Sequence, residues 1–282
     1  MWTVDDIIRI AEELAPRELA ESWDNVGLQV GSREWPVKSI WVALDPLPQV
    51  VTAACRADVD LLITHHPLIF KPLKSIDCTT PAGGIIQFAL QHRMTIFSAH
   101  TNLDSATDGV NDTLARRIGL HHLSVLKQEA HDTGRIVVND DLDEQESLAV
   151  QGLGRTGDLS QTTTLASLAG EVKKSLDLKS VAIAGDPDLP VDKVALCSGS
   201  GASLLGDFFA SGAQVYISGD LRYHDARDVE MAGRGLIDIG HFASEHLIVG
   251  VLAGKLAERL DKSGADVSVE ACRLEEDPFK TL

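Results

Sequence analysis

The chain has 282 residues, of which 44% are hydrophobic and 24% charged, enough for one large hydrophobic core or two modest ones. Its formal charge of −17 opposes binding to nucleic acid and anionic membranes, and no apolar stretch approaches the ~20 residues that a membrane span needs. The N-terminus lacks a secretory signal pattern, and the four scattered cysteines form no C-x-x-C pair, which favours the cytoplasm.

Apolar runs of strand length alternate with segments of helical period along the chain, a pattern typical of α/β proteins. A capping box from Thr3 to Asp6 is predicted to open a first helix. Strands are predicted at residues 39–44, 60–64, 95–99, 180–184, 193–197, 214–218 and 235–239. Further helices are predicted near 82–92, 109–118, 161–175, 202–211, 222–233 and 245–260. Asp108 and Gly119 are the expected N-cap and C-terminal stop of the helix near 109–118.

These elements predict two linked α/β lobes, each with a central mostly parallel or mixed sheet flanked by helices. The first lobe is predicted at residues 1–125 and the second at 126–235. Residues 236–282 are expected to return to the first lobe, because a polar motif near their start would then meet motifs of that lobe. Continuous apolar runs such as VDLLIT and VYIS suit a sheet covered on both faces. The acidic stretch 139–147 is predicted to be a solvated loop or a boundary region.

Imidazoles and carboxylates follow four of the predicted strands. In chain order they are His65 and His66, His100 and Asp104, Asp220 and His224, and His241 and Glu245. Ligands of open α/β sheets bind beyond the carboxyl ends of the strands. The sequence therefore predicts that these side chains gather at one site.

Their spacing points to two metal ions. Side chains alternate in direction along an extended segment, so His65 and His66 would each bind a different ion. His241 and Glu245 are four residues apart, which places both on one face of a helix. Either Asp104 or Glu245 could bridge the ions. Mixed imidazole and carboxylate ligands suit zinc, iron, manganese or nickel rather than calcium.

Each motif alone has a simpler interpretation. A single histidine after a strand is usually a hydrogen-bonded turn residue, and a His-x-x-x-Glu pair at a helix start is often a capping interaction. The three motifs together favour a metal site. The histidines without this context are expected at the surface; they are His92, His121, His122 and His131.

The glycine-rich segment 193–206 allows two interpretations, a tight structural turn or an anion site on backbone N–H groups. It fits neither the dinucleotide-binding fingerprint nor a P-loop. The chain also lacks the G-x-S-x-G and H-E-x-x-H motifs, which argues against serine hydrolases and zincin proteases.

With these motifs the chain resembles the YbgI-like, or NIF-three-like, proteins, often called GTP cyclohydrolase I type 2 homologues. The matching segments are SWDNVGLQVG (22–31), ITHHPLIF (63–70), SAHTNLDSATDGVND (98–112), SGDLRYHDA (218–226) and LIDIGHFASEH (236–246). The resemblance implies two α/β lobes, a ring-shaped homohexamer and opening of the GTP imidazole ring. It also implies a dinuclear metal site, whose ligands fall on His65, His66, Asp104, His241 and Glu245.

We therefore expect a cytoplasmic metal-dependent hydrolase with two divalent ions per chain and a small, anionic or nucleotide-like substrate. His100 and His224 are the candidates for proton transfer, or for orienting the metal ligands. Two alternatives stay open: a metal-binding scaffold or regulatory adaptor without turnover, and a metal-dependent phosphoesterase. A metal site that faces an open cavity would favour an enzyme, and a closed site would favour a scaffold.

Overall fold

A computed structural model of the chain describes residues 1–128 and 151–280, which form two β-sheets flanked by helices. The first sheet contains β1 (Gly27–Val30), β2 (Ser39–Ala43), β3 (Leu61–Thr64), β4 (Thr95–Ser98) and β11 (Ser268–Ala271), numbered along the chain. Its strand order is β1-β4-β3-β2-β11. All neighbours are parallel except β1 and β4, which pair antiparallel.

The second sheet has six strands in the described residues. They are β5 (His121–Lys127), β6 (Leu153–Thr164), β7 (Ala182–Ala184), β8 (Pro190–Ser200), β9 (Val215–Gly219) and β10 (Gly235–Asp238). The strand order is β5-β6-β8-β9-β10-β7, with a parallel centre of β8, β9 and β10. The outer pairings are antiparallel. Both sheets are therefore mixed, as the sequence predicts.

Helices cover both faces of each sheet. They are α1 (Val4–Leu14), α2 (Pro48–Arg56), α3 (Pro81–Gln91), α4 (Thr101–Ser105), α5 (Val110–Arg117), α6 (Leu165–Ser175), α7 (Leu205–Ala210), α8 (Tyr223–Met231), α9 (His241–Glu245) and α10 (Leu247–Lys262). In the five-stranded sheet α1 and α10 cover one face, and α2 and α3 the other. In the six-stranded sheet α5 and α6 cover one face, and α7 and α8 the other. This double cover explains the continuous apolar runs of β3 and β9.

The predicted strands all correspond to observed ones, with ends that differ by up to three residues. The predicted capping box is confirmed: Thr3 Oγ1 accepts from the Asp6 backbone at 3.4 Å, and the Thr3 backbone donates to Asp6 Oδ2 at 2.9 Å. The N-cap of α5 is Gly109 rather than Asp108, which adopts a left-handed conformation with φ 57°. The start of the helix predicted at 161 is wrong, because residues 161–164 complete β6.

The lobe boundaries stay a prediction. β5 and β10 belong to the six-stranded sheet, whereas β11 pairs with β2 and α10 packs on the five-stranded sheet. The acidic stretch 139–147 and His131 lie outside the described residues. Within the described ranges, no helix is both long and apolar enough to cross a membrane.

Candidate metal centre

The candidate centre lies where the carboxyl ends of strands from both sheets converge. His65 and His66 directly follow β3, and Asp104 lies on α4, just after β4. These two strands are parallel neighbours, so their carboxyl ends share one edge of the sheet. His241 and Glu245 lie on α9, which follows β10 of the other sheet. The structure thus brings together the five residues predicted as ligands.

Their donor atoms form two groups that share Glu245. His65 Nε2 lies 3.6 Å from Asp104 Oδ1 and 3.6 Å from Glu245 Oε1. Glu245 Oε2 lies 3.0 Å from His66 Nε2 and 2.9 Å from His241 Nε2. The two imidazoles of this second group have their Nε2 atoms 3.3 Å apart. The adjacent histidines therefore face different groups, and the two oxygens of one carboxylate face one group each.

These spacings suit a metal ion. Bonds of about 2.0–2.1 Å in a tetrahedral arrangement place ligand atoms roughly 3.3 Å apart, close to the distances in both groups. His65 Nε2 and Glu245 Oε2 are buried, and among the described residues neither has a hydrogen-bond partner of proper geometry. Buried polar atoms are otherwise almost always hydrogen-bonded. The His and Glu clusters could therefore hold a metal ion.

Each of the three imidazoles is held through its other nitrogen. The contacts are His65 Nδ1 to the Ala99 carbonyl at 2.9 Å, His66 Nδ1 to Asp45 Oδ1 at 2.8 Å and His241 Nδ1 to Asp220 Oδ2 at 2.7 Å. A carbonyl or carboxylate oxygen can only accept, so in each case Nδ1 carries a proton, and Nε2 is the nitrogen that can bind a metal ion once it has lost its own proton. Metal-binding histidines are usually oriented in this way.

The carboxylates favour positive charge at this site. Burial opposes protonation of His66, but its hydrogen bond with Asp45 and the nearby Glu245 raise its pKa to about 10. The Glu245 carboxylate, followed by Asp220, raises the pKa of His241 to about 9. Burial also opposes ionisation of Glu245, yet the surrounding imidazoles hold its pKa well below the usual value. An ionised carboxylate among imidazoles provides the negative charge that a cation site needs.

The glycine-rich turn after β8 packs against α9. Gly199 has φ +63°, and a Cβ there would lie 2.2 Å from Glu245 Oε1. The Gly199 N–H donates to Ser244 Oγ at 2.7 Å, and the Gly201 N–H donates to Ser218 Oγ at 3.0 Å. Both glycine N–H groups thus have partners within the protein. These contacts favour the structural turn over the anion site.

A cavity of about 570 Å³ opens beside the cluster. Four of the predicted ligands contribute to its lining, and further lining residues include Trp23, Phe70, His100, Thr101, Ser200 and Ser203. The volume is ordinary for a small-molecule site. A larger cavity of about 690 Å³ elsewhere is lined by none of the five predicted ligands.

His100 contributes to the cavity wall, 5.2 Å from His65 between ring centroids. Its Nδ1 contacts Asp24 Oδ1 at 2.9 Å, and the same carboxylate accepts from the Thr101 backbone at 3.1 Å. Burial opposes ionisation of Asp24, but hydrogen bonds from His100 and Thr101 lower its pKa to about 2. His100, His65 and His66 form a third group with metal-binding spacing. No strand-end pattern marks Asp24 in the sequence, although it lies in the segment SWDNVGLQVG (22–31).

His224 does not join the site. It is exposed in the first turn of α8, stacks edge-on against Tyr223 with ring centroids 5.4 Å apart, and does not line the cavity. The structure therefore separates it from His100, with which the sequence paired it. The surface position predicted for His92, His121 and His122 is confirmed.

Asp45 is a site residue that the sequence analysis did not identify. It lies two residues after the end of β2, so it obeys the same strand-end rule as the predicted ligands. The signal was present, but a lone aspartate before a proline also suits an ordinary turn.

Comparison with known proteins gives a consistent result. The family model Duf34/NIF3 (NGG1p interacting factor 3) matches residues 2–278. A protein of Clostridium perfringens named GTP cyclohydrolase 1 type 2 homolog is 35% identical over 279 residues, covering 99% of each chain. A Clostridium acetobutylicum protein of the same name is 33% identical over 277 residues, covering 98% of each.

A solved structure also matches over the whole chain. The Bacillus cereus protein described as related to NIF3 has a TM-score of 0.89 and 28% identity, covering 100% of this chain and 99% of that one. The resemblance drawn from the motifs is therefore confirmed, together with the α/β fold class.

Proposed function

Because the chain belongs to the Duf34/NIF3 family and has clusters that could hold metal ions, we propose that it is a cytoplasmic metal-dependent hydrolase with a dinuclear site. Its substrate would be small and nucleotide-like. The observation that carries the proposal is the shared carboxylate: Glu245 Oε1 faces His65, while Oε2 faces His66 and His241. One bridging carboxylate between two donor groups suits a pair of ions rather than one.

In this proposal His65, Asp104 and Glu245 hold one ion, and His66, His241 and Glu245 hold the other. The nitrogen and oxygen donors suit zinc, iron, manganese or nickel. Divalent ions bound there supply Lewis acidity, which activates water and polarises the bond to be cleaved. The imidazoles are already oriented by Asp45, Asp220 and the Ala99 carbonyl, so they need little rearrangement to bind.

His100 is the residue proposed to move a proton. Asp24 accepts from its Nδ1, which leaves Nε2 free to exchange a proton with a group in the cavity. The same carboxylate fixes the orientation of the His100 ring. His224 has no part in the proposal, because it lies outside the cavity.

The open cavity favours an enzyme over a scaffold or regulatory adaptor. A purely structural metal site is usually closed by its ligands, whereas this cluster faces about 570 Å³ of space. The relatives' name suggests ring opening of GTP, and a phosphoesterase would use the same ions on a different bond. We also propose a ring-shaped homohexamer, with the resemblance as its support. Light scattering that gives a monomer over a wide concentration range would remove this part.

The test is an activity screen of the metal-reconstituted protein against GTP, other nucleotides and phosphoesters. Formate release from GTP identifies a cyclohydrolase, and phosphate release identifies a phosphoesterase. We expect chelation to abolish both substrate binding and turnover, and Asp104→Ala to abolish turnover with the fold intact. No turnover of any substrate by the metal-loaded protein would support the scaffold instead.

A further inference from the structure

The mouth of the cavity carries two exposed aromatic side chains, Trp23 and Phe70, which we call the rim. Trp23 is 58% exposed and Phe70 47% exposed, and both line the cavity to which four of the five predicted metal ligands contribute. Large aromatic side chains usually bury most of their surface in a core or an interface. The two rings contact each other but remain about half exposed, so they offer apolar surface to a ligand in the cavity.

Hydrogen bonds between side chains of the Trp23 segment and the backbone next to Phe70 hold the two rim segments together. Asn25 Nδ2 donates to the Ile69 carbonyl at 2.6 Å, and the Ile69 N–H donates to Gln29 Oε1 at 3.2 Å. Asn25 is two residues from Trp23, and Ile69 precedes Phe70. The relative position of the two segments is thus set before any ligand binds, which lowers the entropic cost of binding.

The rim rings also lie close to His100, which borders the predicted metal ligands. The centroids of Trp23 and Phe70 are 5.8 Å apart, with an angle of 68° between the rings. His100 lies 6.4 Å from Trp23 and 6.3 Å from Phe70, again nearly perpendicular to both. A planar group that stacks on one rim ring would meet the edge of the other, and aromatic rings prefer both of these contacts. His100 in turn lies 5.2 Å from His65 between ring centroids, so the rim is continuous with the predicted metal ligands.

We propose that the rim binds a planar nitrogen heterocycle of the purine type, as the ring of the substrate. Such a ring has apolar faces for Trp23 and Phe70, and polar edges for the hydroxyls of Ser200 and Ser203, two exposed residues that also line the cavity. An aliphatic substrate would gain contact area but nothing from the fixed angle between the rings. The inference rests on the proposed function, because it assigns the substrate class of that same cavity.

The test compares GMP with ribose 5-phosphate, which lacks the base, as ligands of the zinc-loaded protein in calorimetry. Trp23→Leu and Phe70→Leu should each weaken GMP binding about 10-fold, within the range measured for stacking on a protein ring, and leave ribose 5-phosphate binding unchanged. Trp23→Phe should restore most of the affinity, since it keeps a ring. Trp35→Phe is the matched control, because Trp35 lies against Arg93 and does not line the cavity.

Fluorescence gives a second readout that needs no turnover. Among the four tryptophans, Trp23 is the exposed one. GMP should therefore quench tryptophan emission in the wild type and in Trp35→Phe, but not in Trp23→Phe.

The outcomes separate this inference from the proposed function. Equal GMP affinity in Trp23→Leu and the wild type would overturn the inference, as would a wild type that binds GMP no better than ribose 5-phosphate. GMP binding that depends on Trp23, without turnover of any nucleotide, would support purine binding at the rim and contradict the hydrolase proposal. If the wild type and Trp23→Leu turn over a phosphoester that has no aromatic ring at the same rate, the hydrolase proposal is supported and purine binding at the rim is contradicted.

Discussion

The cavity has a floor and a rim that are built in different ways. The floor consists of the five predicted ligands, His65, His66, Asp104, His241 and Glu245. Each imidazole of the floor is fixed by a hydrogen bond from its Nδ1 to a protein oxygen, and the carboxylates of the floor are almost completely buried. The rim consists of Trp23 and Phe70, whose exposed rings contact each other and His100 and have no hydrogen bond of their own among the described contacts.

This contrast separates two tasks. Burying two carboxylates among three imidazoles costs solvation free energy, which protons or metal ions bound at that place would offset. The exposed rings have no such cost, and they select a ligand by shape. Changes in the floor should therefore affect metal binding, and changes in the rim should affect ligand choice without affecting the metal.

The largest effect is expected from Glu245→Gln, which keeps the shape of the side chain but removes the charge shared by both groups. Metal content after reconstitution with zinc should fall from about two ions per chain to less than about half an ion. Elemental analysis measures this directly. The control is Glu258→Gln, an exposed change on α10, which should bind as much zinc as the wild type. Two ions in the Glu245→Gln protein would contradict the shared-carboxylate geometry.

The next effect is expected from Gly199→Ala, because its Cβ would overlap Glu245 Oε1. Gly233 is a matched control: its φ is +66°, against +63° at Gly199, and no atom lies within 4 Å of its would-be Cβ. Both variants should lose about 1–2 kcal/mol of unfolding free energy through backbone strain. Only Gly199→Ala should also lose zinc, as followed by denaturation and elemental analysis. Similar zinc content in the two variants would show that Glu245 tolerates displacement.

A smaller effect is expected from Asp220→Ala, which removes the acceptor for His241 Nδ1 but no ligand. Zinc affinity should fall about 10- to 100-fold, as is usual when such a supporting carboxylate is lost. Asp158→Ala removes the same kind of acceptor from His122, an exposed imidazole away from the site, and should leave zinc affinity unchanged. Competition with a chromogenic chelator measures both. An equal affinity in the two variants would mean that His241 needs no support.

The smallest effect on the metal is expected at the rim. The double variant Trp23→Leu/Phe70→Leu should keep about two zinc ions per chain and the wild-type zinc affinity, because neither ring supplies a ligand atom. Elemental analysis and chelator competition again give the answer. A clear loss of zinc would show that floor and rim are coupled, and the separation of tasks would then be wrong.

The sequence predicted the floor better than the rim. Ligands at strand ends leave a local signal, since an apolar run is followed at once by His65 or by His241, and the direction of a parallel strand determines where they go. The rim depends on contacts between distant segments. Asp24 and His100 meet across 76 residues, because β1 lies antiparallel beside β4. Nothing near Trp23 encodes that pairing.

Strand β6 was not predicted for the same reason: it depends on contacts between distant segments. β6 contains two apolar residues in twelve, so its sequence shows no strand period, yet it lies between β5 and β8 and gains hydrogen bonds on both edges. Arg155 of this strand is buried and pairs with Asp112 on α5, an arrangement that no local pattern indicates. Tertiary pairing here outweighs local preference.

The floor also joins the two sheets, since His65 follows a strand of one and Glu245 follows a strand of the other. Ions bound there would act as a cross-link between halves that are otherwise held by packing and by hydrogen bonds such as that from Ser198 Oγ to Asp104 Oδ1 at 3.3 Å. By mass action, free metal at a thousand times its dissociation constant would add about 4 kcal/mol to the stability of the folded chain. The lifetime of the protein in the cell would then follow the metal supply, because metal-starved molecules would open more often and meet proteases first.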